Sequence, residues 1–110
     1  MSKEASKLLK KKLSHENPKV IFMALLVIEL AMQKCGNPFH VQIGTKEFMN
    51  SMVLLLHQKD LLPQVKNKSL TLIQTWGKKF EREHDILPLF FDVYQALKKK
   101  GIEFPGEAAV

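Results

Sequence analysis

The feature that most constrains the fold is a long, mostly apolar segment between Asn17 and Gly36. Asn17 is a favourable helix N-cap, and Pro18 suits the first helical position because its missing N–H is not needed there. Gly36 can end a helix in the left-handed conformation that other residues avoid. The pattern therefore predicts one helix from Pro18 to Cys35.

The apolar run inside this helix is too short to cross a membrane. It extends from Val20 to Met32 and is interrupted by Glu29, whereas a bilayer crossing needs roughly 20 consecutive apolar residues. The run therefore predicts a helix buried in the core of a globular domain, not an anchor.

Five further helices are predicted from apolar positions spaced three and four apart and from residues that begin or end helices. They run from about Ser2 to Leu13, Phe39 to Ile43, Lys46 to His57, Val65 to Phe80, and Pro88 to Lys100. Strand patterns are almost absent. Because 110 residues suffice for one core and not for two, the sequence predicts a single all-α domain spanning 1–110.

Composition limits the partners without selecting one. The net charge of +6 favours acidic partners, which include anionic lipid headgroups, acidic peptides and nucleic acid. The single cysteine, Cys35, excludes an internal disulfide and a multi-cysteine zinc site, and is typical of a reducing compartment. The first dozen residues lack the apolar stretch of a signal peptide, so a cytoplasmic protein is expected.

Catalytic and metal-binding patterns are not found. The histidines show no helical pairing of the zinc type, and there is no glycine-rich phosphate loop, so neither a metal nor another cofactor is expected. Cys35 and His40 have the residue types of a nucleophile and a base, but they flank a helix break and no orienting carboxylate is evident. A buried thiol and a hydrogen-bonded histidine are the favoured interpretation, and no enzymatic activity is expected.

Trp76 has two interpretations, as an aromatic platform for a ligand or as a core residue. It lies with Leu72 and Phe80 at helical spacing, which places the three on one apolar stripe. The stripe favours a core position for Trp76.

Taken together, the segments resemble the VHS domain. NPKVIFMALLVIELAMQKCGNPFH is similar to the central helix and helix break of that family, with its Asn-Pro start, Ala-Leu core, Glu position and Cys-Gly followed by Phe-His. KEFMNSM, VKNKSLTLIQTWGKKF and VYQALKKKGIEFP are similar to the helices that follow, in the same order. The resemblance covers about Glu4 to Pro105, and LIQTW and KKKGIEFP resemble the Hrs, STAM and Tom-type endosomal sorting adaptors.

The resemblance implies a right-handed α-helical superhelix of the ENTH/VHS type. A family domain has eight helices, and this chain matches from the third onward, so the first two are expected to be absent. The family also places one wall of its ubiquitin-binding surface, including a tryptophan, on the second of those helices. The implied function is a non-catalytic module of a cargo-sorting adaptor that recognises ubiquitinated cargo weakly, at the cytoplasmic surface of endosomal or Golgi membranes.

A candidate binding patch follows from the geometry of the central helix. At about 100° per residue, Lys19, Glu29 and Gln33 share one sector, which is expected to be the least buried face. Phe22 and Leu26 fall in the same sector. They are predicted to form a small apolar patch for ubiquitin or another partner. The favoured alternative is that these two residues are used in packing, against the family's absent second helix, or in self-association.

A second candidate site comes from the resemblance alone. The Golgi-localised adaptors of the family bind acidic dileucine signals between a middle helix and the last one. Asn50, Tyr94 and Lys98 are the candidate groove residues here. Glu47 and Leu89 stand where the family has basic residues, and an acidic peptide would meet a like charge at Glu47, so that activity is not expected.

Two other classes of function remain as alternatives. A peripheral membrane module would hold phosphoinositides or other anionic lipids through Lys7, Lys10, Lys11, Lys99 and Lys100. Such clusters are more often simply solvated helix faces. A related superhelix binds phosphorylated tails of RNA polymerase, although no feature of this sequence demands that function, and binding to nucleic acid is not expected.

Overall fold

The computed structural model describes residues 3–58 and 60–105, and in these ranges it contains six α-helices and one 3₁₀ turn. The helices are α1 (Lys3–Lys12), α2 (Pro18–Lys34), α3 (Asn37–Ile43), α4 (Lys46–Leu56), α5 (Pro63–Lys79) and α6 (Pro88–Lys99), with the 3₁₀ turn at Glu81–Glu83. The predicted all-α class and the six helices are confirmed. The predicted start of the first helix at about Ser2 lies outside the described residues.

Helix starts follow from local stereochemistry. The Asn17 side chain accepts a hydrogen bond from the Lys19 N–H at 2.9 Å, and Thr45 Oγ1 accepts one from the Phe48 N–H at 3.1 Å. Both bonds satisfy backbone donors that have no partner within the first turn of a helix. α5 begins at Pro63, two residues earlier than Val65, because proline is well suited to the first turn.

The predicted left-handed glycine at the end of α2 is wrong. α2 ends at Lys34 because Cys35 adopts an extended conformation, and Gly36 has a φ of −91°. Gly36 instead precedes α3 directly as its N-cap, a position that needs extended backbone. The left-handed glycine is Gly101, with a φ of 92°, and it follows α6 as the sequence predicts.

The core is built around α2, α5 and α6. Ile28 of α2 and Ile73 of α5 are fully buried. Trp76 meets Phe90 of α6 edge to face, with ring centroids 5.6 Å apart, and Phe90 also stacks on Phe80 at 4.8 Å. Trp76 is 3% exposed, so the prediction that it is a core residue is confirmed.

Of the helices in the described ranges, none combines the length and apolarity that crossing a membrane requires. The charged turn after α5 lies at the surface.

Candidate interaction surface

An apolar stripe lies exposed along α2. Met23, Val27 and Leu30 are exposed by 59%, 42% and 57%. Their spacing of four and three residues aligns them on one face of the helix. Leu8 of α1 is 56% exposed and lines a groove with Met23 and Val27. Four large apolar side chains in contact with water on two neighbouring helices are typical of a surface that another molecule covers.

The predicted orientation of α2 is wrong in part. Phe22 and Leu26 were expected on its least buried face, but both are half-buried, and Phe22 packs against the core. At 100° per residue, the exposed apolar face is centred roughly 90° around the helix from the predicted sector, toward α1. The reason is the packing of α5, which covers the side of α2 that bears Glu29.

The polar residues of the predicted patch have different surroundings. Lys19 and Gln33 are exposed, as expected. The side chain of Glu29 is only 30% exposed, and Lys68 of α5 donates hydrogen bonds to both of its carboxylate oxygens. The negative charge of Glu29 is therefore compensated within the domain, and it offers little attraction to a basic partner.

The groove between α1 and α2 has a volume of about 370 Å³. Leu8 stands on the α1 side, and Met23 and Val27 stand on the α2 side. Ala24, which is 5% exposed, lies between them at the bottom. Two further lining residues, Lys12 of α1 and Lys19 of α2, bring positive charge to its edge. The arrangement is a concave apolar site with a basic rim.

Sequence reasoning missed the exposed positions Leu8, Met23, Val27 and Leu30. α2 carries apolar residues on all sides, so the periodicity of its own sequence does not single out a solvent face. The exposed face depends on where α1 and α5 pack around α2. The only sequence signal is indirect: Leu8 lies among the lysines of α1.

The candidate peptide groove is not formed as expected. Tyr94 is 2% exposed, and its ring packs edge-on against Phe104 with centroids 4.9 Å apart. The prediction that Tyr94 lines a groove is therefore wrong, because the ring belongs to the core. Asn50 and Lys98 are exposed, and Lys98 Nζ lies 5.1 Å from the centroid of the Tyr94 ring.

The five lysines proposed for lipid contact lie mostly in solvent. Lys7, Lys11, Lys99 and Lys100 are exposed. Lys10 is half-buried, and its Nζ lies 3.8 Å from Glu47 Oε2. Four of the five are thus accessible to an anionic surface.

His40 has a structural environment. Its ring is 8% exposed, and Nε2 donates a hydrogen bond to the Met32 carbonyl oxygen at 2.9 Å. The ring also meets Phe80 edge-on at 5.0 Å. His40 therefore ties α3 to the end of α2, which agrees with the hydrogen-bonded histidine favoured from the sequence.

We compared the chain with known protein families and solved structures, and both comparisons agree with this fold. A family model described as "VHS domain" matches residues 1–101, so the chain belongs to the VHS domain family, whose members are non-catalytic adaptor domains. The fold prediction is confirmed by the crystal structure of the VHS and FYVE tandem domains of Hrs, a protein described as involved in membrane trafficking and signal transduction. That structure matches with a TM-score of 0.83 and 35% identity, over 94% of this chain and 46% of that one.

Two relatives found by sequence comparison match nearly the whole of this chain. Human TOM1-like protein 2 is 35% identical over 106 residues, which cover 94% of this chain and 21% of that protein. Vacuolar protein sorting-associated protein 27 of Mycosarcoma maydis is 33% identical over 106 residues, or 94% of this chain and 12% of that protein. The chain thus spans about a fifth or less of the length of these relatives.

Proposed function

We propose that this VHS domain is a non-catalytic interaction module of an endosomal cargo-sorting adaptor, and that it recognises ubiquitinated cargo weakly. The relation to vacuolar protein sorting-associated protein 27 and to Hrs supports this role in sorting. The observation that carries the proposal is the exposed apolar face of α2. On this face, the exposed Leu30 lies near the exposed Gln33 and the half-buried Leu26.

The expected affinity is low for a physical reason. Leu30 offers one large exposed side chain, and the nearby Glu29 is already paired with Lys68. If the apolar patch of ubiquitin buries Leu30 fully, the burial contributes about 1 to 3 kcal/mol to the binding free energy. A millimolar complex already corresponds to about 4 kcal/mol of binding free energy, and association also costs entropy. Leu30 therefore supplies only part of the binding free energy, and a weak complex is expected.

The test is a titration of isotope-labelled ubiquitin, followed by chemical shift changes, with the domain and with Leu30→Ser/Gln33→Ala. These positions are preferable to Phe22 and Leu26, since both of those are half-buried and their replacement would also disturb the fold. We expect the double variant to bind at least about tenfold more weakly. Leu54→Ser is the matched control, because Leu54 lies on α4 and is 60% exposed.

Two results decide the matter. Loss of binding in the α2 variant, with the Leu54→Ser control unchanged, supports ubiquitin recognition on this face. An unchanged titration with a folded Leu30→Ser/Gln33→Ala variant contradicts it, as does the absence of any shift with the unaltered domain.

Binding to an anionic membrane is a second candidate, supported by one observation on α1. Leu8 is exposed among the exposed lysines Lys7 and Lys11, an arrangement that amphipathic helices use at lipid headgroups. Sedimentation with phosphatidylserine vesicles should then depend steeply on salt and fall in Lys7→Glu/Lys11→Glu. The charge-matched control is Lys46→Glu/Lys66→Glu, at exposed positions on α4 and α5. Equal binding by both variants would remove the specific role of α1.

A further inference from the structure

A small crevice lies between α2 and α5, and Trp76 is one of the residues that line it. Its α2 residues lie roughly 130° around the helix from the exposed apolar stripe, on the side that faces α5. We infer that this crevice binds the carboxylate of an aspartate or glutamate in an extended segment of another protein. The inference goes beyond the proposed function, which uses Leu30 and the apolar face of α2.

The crevice has an apolar bottom and a polar rim. The bottom consists of buried side chains from α2 and from α5 with its C-cap, namely Met32, Leu72, Trp76 and Phe80. The rim consists of three exposed residues and one half-buried residue, namely Gln33, Thr75, Lys79 and Glu29. Polar groups from both helices therefore converge on one small space.

Trp76 supplies a hydrogen-bond donor that the fold does not use. The residue is 3% exposed, and a buried tryptophan usually has an acceptor for its N–H. Among residues 3–58 and 60–105, no acceptor lies within hydrogen-bond distance of Trp76 Nε1. Protein atoms do not enclose Nε1 completely, so the N–H is open to solvent at the crevice that this residue lines. An acceptor that enters the crevice can take this hydrogen bond.

The size of the crevice favours a small group. Its volume is about 40 Å³, whereas pockets for whole small molecules have roughly 300 to 1,000 Å³. One water needs about 10 to 15 Å³ of such a volume, so the crevice has room for roughly three atoms of that size, as many as a carboxylate group contains. The rest of the ligand must lie outside the crevice. The occupant is therefore the end of a side chain that belongs to a larger molecule.

The charge at the rim favours a ligand with one negative charge. Lys68 donates hydrogen bonds to both carboxylate oxygens of Glu29 and compensates its charge. Lys79 Nζ lies 5.5 Å from the centroid of the Phe80 ring, and within the described part of the chain Lys79 takes part in no ion pair. One uncompensated lysine matches one carboxylate. A doubly charged phosphate would leave negative charge beside Glu29.

The remaining polar groups of the rim favour an extended segment over a helix. Gln33 of α2 and Thr75 of α5 are exposed, and neither side chain has a hydrogen-bond partner among the residues that the structure describes. They can bond to the backbone on either side of the inserted side chain. An extended segment offers these backbone groups, whereas a helix uses its own N–H and C=O groups internally.

The experiment uses two synthetic peptides of about eight residues, roughly 26 Å long when extended. Both have flanks of alternating threonine and valine, and the central residue is glutamate in one and glutamine in the other. Each is titrated into the ¹⁵N-labelled domain, and the indole N–H resonance is followed. Its assignment is direct, because Trp76 is the single tryptophan of the chain. We expect the glutamate peptide to move this resonance downfield, with at least about tenfold tighter binding than the glutamine peptide and a weaker effect as salt rises.

Two variants separate the charge from the indole donor. Lys79→Gln should weaken binding of the glutamate peptide at least about tenfold and bring it close to the glutamine peptide. Trp76→Phe removes the N–H and keeps an aromatic ring, and it should also weaken binding, measured by anisotropy of a labelled peptide. Circular dichroism verifies that each variant is folded. Lys66→Gln is the matched control, since Lys66 is an exposed lysine of the same helix, and it should bind like the unaltered domain.

Three results overturn the inference. One is an indole resonance that does not move with the glutamate peptide at millimolar concentration, and another is equal binding of the two peptides. The third is tighter binding of a phosphoserine peptide with the same flanks, which assigns the crevice to a phosphorylated segment. An equal loss of binding in Lys66→Gln and Lys79→Gln also contradicts it, because the peptide then responds to the overall positive charge and not to the crevice.

The inference and the proposed function fail separately. Leu30→Ser should weaken ubiquitin binding and keep the glutamate peptide, and Lys79→Gln should do the reverse. Gln33 borders both surfaces and is unchanged in these two variants. If Lys79→Gln abolishes both interactions and remains folded, the crevice belongs to the ubiquitin-binding surface and the inference of a second partner is wrong.

Discussion

Lys68 on α5 donates hydrogen bonds to both carboxylate oxygens of Glu29 on α2, at 2.9 and 3.1 Å. The two side chains are exposed by only 22% and 30%, so water screens the pair less than it would screen a surface pair. The contact holds one side of α2 against α5. The opposite side, toward α1, is where Met23 and Val27 face solvent.

The first prediction concerns this ion pair. Lys68→Ala and Glu29→Ala should each lower the free energy of unfolding by about 1 kcal/mol, and a double-mutant cycle should show a coupling of roughly 0.5 to 1 kcal/mol. Urea denaturation at low and high salt measures both quantities, and the coupling should shrink as salt rises. Strictly additive effects of the two substitutions would mean that the pair adds no stability.

The second prediction concerns the aromatic core. Trp76→Ala should destabilise the domain by roughly 3 to 5 kcal/mol and Leu72→Ala by roughly 2 to 5 kcal/mol, because both side chains are almost fully buried. Leu54→Ala is the control and should change stability by less than about 0.5 kcal/mol. Thermal melts report all three. If the Trp76→Ala variant melts at the same temperature as the unaltered domain, Trp76 belongs to a ligand-binding site and not to the core.

The third prediction separates structure from chemistry at the α2–α3 junction. His40→Ala should lower stability by about 1 to 3 kcal/mol, because the buried Met32 carbonyl loses its donor. Cys35→Ala should cost less, since Cys35 is only half-buried. Urea denaturation measures both. Hydrolase or transferase turnover that disappears in either variant would contradict the assignment to a non-catalytic family.

Most of the fold was predictable because its boundaries are set by local stereochemistry. Asn17 and Thr45 cap helices with their side chains, and Pro18 and Pro88 lie in the first turns of α2 and α6. Such residues act within one turn, and their effect can be read from a few neighbouring letters. Gly36 shows the limit of this reasoning, because its conformation depends on the helix that follows.

The candidate site was less predictable because it depends on packing between helices. α2 is apolar on every side, so the choice between Leu26 and Met23 as the exposed residue is made by the positions of α1 and α5. Tyr94 shows the same effect, since its polar end suited a groove by family resemblance but its ring is buried against Phe104. The periodicity of a sequence shows which positions of a helix are apolar. Which of these positions remain exposed depends on the helices that pack against it.

The last prediction tests the closest approach in the core, between α5 and α6. A Cβ atom placed on Gly77 would lie 2.6 Å from both Cβ and Cδ2 of Tyr94. The Tyr94 Cβ is fixed to its backbone, so relief requires α6 to move away from α5. Gly77→Ala should therefore destabilise the domain by about 1 to 3 kcal/mol, even though alanine favours helix by about 1 kcal/mol over glycine.

Gly36→Ala is the matched control, because its φ is −91° and the nearest atom to an added Cβ is Pro38 Cδ at 3.9 Å. It should change stability by less than about 1 kcal/mol, since alanine restricts the unfolded chain but is a poorer N-cap than glycine. In thermal melts, each kcal/mol lost should lower Tm by about 4 to 8 °C for a domain near this size. If Gly77→Ala melts at or above the temperature of the unaltered domain, α5 and α6 are not packed as closely as their contact at Tyr94 requires.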